Sequence, residues 1–174
     1  MENTAIELSE KGKKAFGEGD FENAVQIFSE TAEVYLAEEN FLDAAEAKNN
    51  LSVALLQAGK AKESLEAAKG TDLVFEEADD KLRQAMALGN QAAALGELGD
   101  KQEAIDLYQK SARLFGEIGE KDYEETVLKS IAAIELSRGK FEDTAFTMLQ
   151  AQGAVENPNI FQRFLRFLLG LITR

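Results

Sequence analysis

EGDFENAVQIF (18–28), AGKAKESLEAA (58–68), LGDKQEAIDLY (98–108) and RGKFEDTAFTM (138–148) are four versions of one stretch. Their glycines, Gly19, Gly59, Gly99 and Gly139, stand 40 residues apart at every step. Each is followed by Asp or Lys and, five residues on, by a small residue: Ala24, Ser64, Ala104 or Thr144. One spacing kept through four copies means an internal repeat, and the repeat decides the architecture before any single element is read.

Each period predicts a helical hairpin. Amphipathic stretches such as AEAKNNLSVALLQA (45–58) and ETVLKSIAAIELSR (125–138) lead up to the glycine, and others such as EAIDLYQKSARLFGEI (103–118) follow it. The glycine supplies the left-handed backbone that ends one helix and lets the next begin. Small residues at 24, 64, 104 and 144 allow the two helices to approach closely. Phe28, Ala68, Tyr108 and Met148, one turn further, are expected to fill the space between them. A lone hairpin cannot bury its apolar stripe, so the units must stack. The expected fold is all-α: a right-handed superhelical solenoid of four hairpins, with a concave and a convex face. A single proline and abundant Ala, Glu, Leu and Lys agree with this, and no alternating β-branched run argues for a sheet. The expected organisation is a repeat domain over 1–156, with units at about 5–44, 45–84, 85–124 and 125–157. A C-terminal amphipathic helix over 157–174 follows it.

This pattern resembles the tetratricopeptide repeat family over about residues 5–158. The family's small residue at position eight of its first helix, helix A, is matched by Gly12, Ser52, Ala92 and Ala132. The family's usual period is about 34 residues. The 40-residue period here is similar to that of kinesin light chain-type repeats, in which both helices are longer. Two features depart from the pattern: Lys11 and Gln91 occupy position seven, and the large aromatic common at position four is missing.

The resemblance implies a non-enzymatic scaffold or adaptor whose helix A faces line the concave surface and hold a protein or peptide partner. Positions five and six of helix A carry Asn49 and Asn50, Gly89 and Asn90, then Lys129 and Ser130. An amide side chain offers an acceptor and two donors, enough to engage both partners of a peptide unit. Equivalent positions recur about 8–10 Å along the stack. An extended chain rises about 3.3 Å per residue, so Asn50 and Asn90 are spaced to grip peptide bonds about three residues apart. The same asparagines on a solvated helix face need no ligand, and both readings stand at this point. Lys13 and Lys129 are the obvious basic residues of the groove and lie at opposite ends, which favours a neutral or basic segment over an acidic one.

Composition narrows the function classes. A net charge of −13 repels nucleic-acid phosphates, and with no His and no Cys the commonest zinc ligands and the usual neutral-pH base are missing. Acidic runs at 37–40, 75–80 and 116–125 lack the alternating spacing of a calcium loop and are expected to form a solvated rim. The sequence offers no nucleophile–base pair, no phosphate-cradling glycine loop and no metal cluster, so neither catalysis nor a cofactor is expected. MENTAIELSEKGKK at the N-terminus lacks the layout of a signal peptide, and a cytoplasmic location is expected.

The segment NPNIFQRFLRFLLGLITR (157–174) has three arginines as its only charges. On a helix, Ile160, Phe161, Phe164, Leu165, Phe167, Leu168, Leu169, Leu171 and Ile172 fill one arc of roughly 200°. Such a face must meet something, and three surfaces can receive it. They are the open end of the fourth unit, a second copy or a partner protein, and a membrane surface. Without the three arginines the 19 basic residues fall to 16 against 32 acidic ones, a charge of −16. That charge would be repelled by anionic lipid and would attract the cationic helix.

Overall fold

A computed structural model describes residues 2–154 of the chain, and the candidate C-terminal helix over 157–174, with its nine apolar residues, lies outside them. Among the described residues there are nine α-helices and no strand. They are α1 (Glu2–Gly17), α2 (Phe21–Ala37), α3 (Phe41–Gln57), α4 (Ala61–Ala68), α5 (Thr71–Glu77), α6 (Lys81–Leu98), α7 (Lys101–Ile118), α8 (Lys121–Ser137) and α9 (Phe141–Ala154). Consecutive helices pack as hairpins, and α3 and α4 both pack on α6. Thus α1, α3, α6 and α8 are the A helices of four units, and α2, α4–α5, α7 and α9 are the B helices.

The turns explain the period. Gly19, Gly59, Gly99 and Gly139 all have φ between 74° and 91°. At each, the glycine N–H donates to the carbonyl three residues back and the next N–H to the carbonyl five back, as from Gly19 to Phe16 and from Asp20 to Ala15, both 3.0 Å. This is the Schellman closure of a helix. The turns between units are built the same way. Glu39 (φ 58°), Asp79 (φ 54°) and Gly119 (φ 79°) repeat the geometry and the bonds, so a left-handed residue falls every 20 positions. The chain therefore has two equivalent turns per unit. Asp20, Asn40 and Asp80 next cap α2, α3 and α6 by accepting from the N–H three residues on. The acidic runs expected to form a rim thus supply caps and turn residues. The A helices of units two to four begin at Phe41, Lys81 and Lys121, four residues before the expected unit starts, directly after the left-handed turns and, in units two and three, after the Asn40 and Asp80 caps.

A side chain in the left-handed region costs about 1–2 kcal/mol relative to the right-handed one, a strain that glycine avoids. Part of that gain is offset by glycine's greater freedom when unfolded. Glu39→Gly and Asp79→Gly, both at exposed positions, should therefore each raise stability by about 0.5–1 kcal/mol. Urea denaturation reads this as a higher midpoint with unchanged slope. A lowered midpoint would contradict the turn assignment.

Small residues do bring the helices together. Ala24, Ser64, Ala104 and Thr144 are all buried. The Ser64 hydroxyl donates to the Ser52 carbonyl at 2.8 Å and lies 3.0 Å from the Ser52 hydroxyl. Phe28 and Ala68 are buried as expected, and Tyr108 is partly so. Met148 departs from its column and remains 39% exposed. The expectation of unbroken B helices also fails in the second unit. Gly70, at φ 78°, splits that helix into α4 and α5.

Candidate functional site

The helix A positions repeat with the chain. Glu10, Asn50, Asn90 and Ser130 form one column, and Lys13, Val53, Ala93 and Ala133 form another one turn along. Asn50 and Asn90 are half-buried, and neither amide makes a hydrogen bond among the described residues. They stand apart from the other candidates in this. Ser130 donates to the Thr126 carbonyl at 3.2 Å and also bonds Tyr108. Lys13 is exposed and pairs with Glu10 at 2.9 Å, and Lys129 is exposed and pairs with Glu125.

Asn49 is placed differently from its neighbour. It is 8% exposed, and its Oδ1 accepts from the Thr71 hydroxyl at 2.9 Å. The same hydroxyl lies 2.7 Å from the Ala68 carbonyl, which the break at Gly70 frees from its helix. Gln91 completes the repair: its Nε2 contacts Ala68 O at 3.3 Å and Asp72 Oδ1 at 2.7 Å. Asn49 and Gln91 therefore serve the broken second helix, which accounts for the departure at position seven of the third unit. The sequence signal was there in the AKGTD stretch at 68–72, where Gly70 precedes a threonine suited to a helix start.

Two shallow pockets adjoin at the start of the groove. One, of about 140 Å³, is lined by Lys13, Phe16, Phe28, Asn50 and Val53, so the Asn50 amide stands over a largely apolar floor. The other, of about 160 Å³, shares Lys13 and is walled by Glu10, Tyr35, Asp43 and Glu46 among others. The field there is acidic. Burial first, and then the carboxylates of Asp43, Glu46 and Glu38, hold the Tyr35 hydroxyl above its ordinary pKa. Glu46 is engaged by the Arg83 guanidinium at 3.0 Å, and Arg83 also reaches Asp80 at 2.6 Å. Burial pushes the Asp80 carboxyl up, but the Arg83 backbone N–H, side chain and charge together outweigh it and hold the carboxyl below its usual range.

A larger cleft, of about 820 Å³, opens between α7, α8 and α9, with Arg113, Glu124, Arg138 and Asp143 in its walls. Its charges are of both signs and converge on no common point. The buried Glu135 in it accepts from the Thr147 hydroxyl at 2.8 Å, a bond that ties α8 to α9. Among the described residues no cluster of carboxylates could hold a metal, and no helix is long and apolar enough to cross a membrane.

No family model and no curated protein sequence matches the chain. Solved structures do match in shape. BtubC (BKLC) from P. vanneervenii is similar with a TM-score of 0.77 at 14% identity, over 89% of this chain and 67% of that one. A Podosopora anserina putative kinesin light chain with nearly identical TPR-like repeats gives 0.56 at 13% identity, over 97% and 94%. MamA protein gives 0.51 at 18% identity, over 98% and 88%. The chain folds as a TPR-like solenoid. Identities this low establish the fold alone, and TPR-like folds generally act as scaffolds for protein–protein interaction. The resemblance to kinesin light chain-type repeats, drawn from the 40-residue spacing, agrees with a kinesin light chain structure among these neighbours of the TPR-like chain.

Proposed function

We propose that the protein is a non-enzymatic interaction scaffold that holds an extended segment of a partner protein along its A helices, with Asn50 and Asn90 contacting the segment's backbone. The observation that carries this reading is the contrast between neighbours. Asn49 and Gln91 spend their amides inside the fold, while Asn50 and Asn90 stand half-buried at matching positions without a partner among the described residues. Half-buried amides aligned with the repeat can accept and donate to a peptide that adopts an extended form.

The adjoining pockets narrow the segment's chemistry. The Phe16, Phe28 and Val53 floor suits a small apolar side chain beside the Asn50 contact. The chain's net charge of −13 favours a basic over an acidic segment, although Glu10 and Glu46 nearby are already paired with Lys13 and Arg83. Lys13 and Lys129, already paired with glutamates, play a lesser part.

The test starts from a displayed library of random peptides selected on the intact protein. The best selected peptide is synthesised, and its affinity is measured by fluorescence anisotropy. Two backbone contacts at about 0.5–1.5 kcal/mol each predict that the Asn50→Ala, Asn90→Ala double variant binds roughly 10- to 100-fold more weakly. An unchanged affinity, with the fold intact by circular dichroism, would overturn the clamp.

A further inference from the structure

We infer that the cleft between α7, α8 and α9 is a second interaction site, which holds an extended acidic segment of another protein by pairing its carboxylates with Arg113 and Arg138. The chain as a whole carries 19 basic and 32 acidic residues. The walls of this cleft reverse that balance, with Arg113, Lys121, Arg138 and Lys140 against Glu124, Glu135 and Asp143. Its carboxylates are already placed: Asp143 lies 3.5 Å from Lys140 Nζ, the buried Glu135 accepts from Thr147, and Glu124 lies against Gly116 of α7. The arginines are not. Arg83 spends its guanidinium on Glu46 and Asp80. Among the described residues Arg113 is exposed with no hydrogen-bond or ion-pair partner, and the exposed Arg138 side chain bonds only the neutral amide of Gln102, at 2.8 Å. A guanidinium offers a planar fork that matches a carboxylate, so two free forks at one cleft suit carboxylates from outside the chain.

The spacing of the two arginines sets the length of the segment. Arg138 meets Gln102 at the start of α7, and Arg113 stands further along the same helix. Eleven residues at about 1.5 Å each separate the two cationic ends by about 16 Å. An extended chain, rising about 3.3 Å per residue, covers that distance in about five residues. A helix of the same length, about 10–12 Å across with its side chains, occupies roughly 1,300 Å³ or more. The cleft holds about 820 Å³, so the extended form is the one that fits. Between the two ends Ile105, Ala112 and Leu128 form a buried floor, and Phe146 of α9 rises on the far wall, 64% exposed. The segment this cleft fits is acidic at both ends and apolar between them.

The site is separate from the asparagine column. At about 100° per residue, Leu128 and Glu135 point to the opposite side of α8 from Thr126, Ser130 and Ala133. The cleft therefore opens between the B helices α7 and α9, with α8 as its floor, and one partner can occupy it while another lies along the A helices.

The test uses the full-length protein and short fluorescein-labelled peptides in which two glutamates flank a leucine-containing spacer of varied length. A matched set carries lysine in place of each glutamate. Fluorescence anisotropy should show binding of the glutamate peptides, tightest at a spacing of about five residues, and none of the lysine set. Arg113→Ala and Arg138→Ala should each weaken that binding about tenfold, as the loss of a charge-assisted pair predicts. Arg113→Lys should restore only part of it, because an ammonium cannot form the bidentate pair. The Asn50→Ala, Asn90→Ala double variant should bind the same peptides unchanged, so this site and the asparagine clamp stand or fall separately. Equal binding of the two peptide sets, or none in either, would overturn the proposal. So would an affinity that neither arginine variant alters while circular dichroism shows the fold intact. Loss of binding in the asparagine double variant would move the acidic segment to the A helices. Sedimentation that shows self-association, abolished by either arginine variant, would give the cleft to the acidic runs of a second copy and overturn the assignment to another protein.

Discussion

Phe75→Ala should cost about 3–5 kcal/mol, the largest loss expected from any single truncation in the described core. Phe75 is fully buried and is the largest such side chain, held between Ala45 of α3 and Ala87 of α6. Its buried neighbours are alanines on two other helices, with Leu42 and Val74 packed beside them, so the site has little means of collapsing into the space left behind. The Arg83 guanidinium lies 5.1 Å from the ring centroid and loses that contact too. The position matters as much as the size. Phe75 lies in α5, the half-helix beyond the Gly70 break, and fixes it to both the second and third units. A stacked array is stabilised through its nearest-neighbour interfaces. The variant should therefore lose hydrogen-exchange protection first in α5 and α6, with a lowered urea midpoint. Phe75→Leu should cost much less. A loss below about 1 kcal/mol for the alanine variant would mean that the second unit does not dock as described.

Gly12→Leu is the converse case. A Cβ at Gly12 would stand 2.6 Å from Phe28 Cε1 and 2.8 Å from Cδ1. The Phe28 ring is 2% exposed and packed between α1 and α3, so it cannot swing away without opening the first interface. Overpacking of this kind costs about 1–3 kcal/mol and exceeds the roughly 1 kcal/mol that replacing a helical glycine would otherwise return. Gly17 provides the control, because nothing lies within 4 Å of a Cβ there. Gly17→Ala should be neutral or stabilising, and a Gly12→Leu chain should regain part of its loss when Phe28→Ala is added. If Gly12→Leu proves as harmless as Gly17→Ala, α1 does not lie against α2 at this point.

The glycines made half of the turns legible and hid the other half. Gly19, Gly59, Gly99 and Gly139 announce a left-handed residue because glycine favours it, whereas Glu39 and Asp79 adopt the same geometry with side chains that give no such sign. The 20-residue rhythm was therefore visible only as one of 40. The break at Gly70 escaped for the opposite reason. A lone glycine inside an amphipathic pattern is ordinarily tolerated, and what makes this one a break is the set of partners that satisfy the freed Ala68 carbonyl, Thr71 and Gln91. Helix phase has the same limit. Asn49 and Asn50 are adjacent letters, and only the approach of Thr71 separates the buried amide from the half-exposed one. The small-residue columns read correctly because they depend on size alone. Met148, in the same column as the buried Phe28 and Ala68, stays 39% exposed instead.

The most direct test of the central claim is a two-dimensional nitrogen–proton spectrum of the labelled protein, recorded with and without a library-selected peptide and focused on the side-chain amides. The account predicts that the Asn50 and Asn90 side-chain resonances shift on binding and exchange more slowly with solvent, while those of Asn49 and Gln91 stay in place. Shifts confined to α2, α4 and α7, with Asn50 and Asn90 unmoved, would place the partner on the B helices and contradict it.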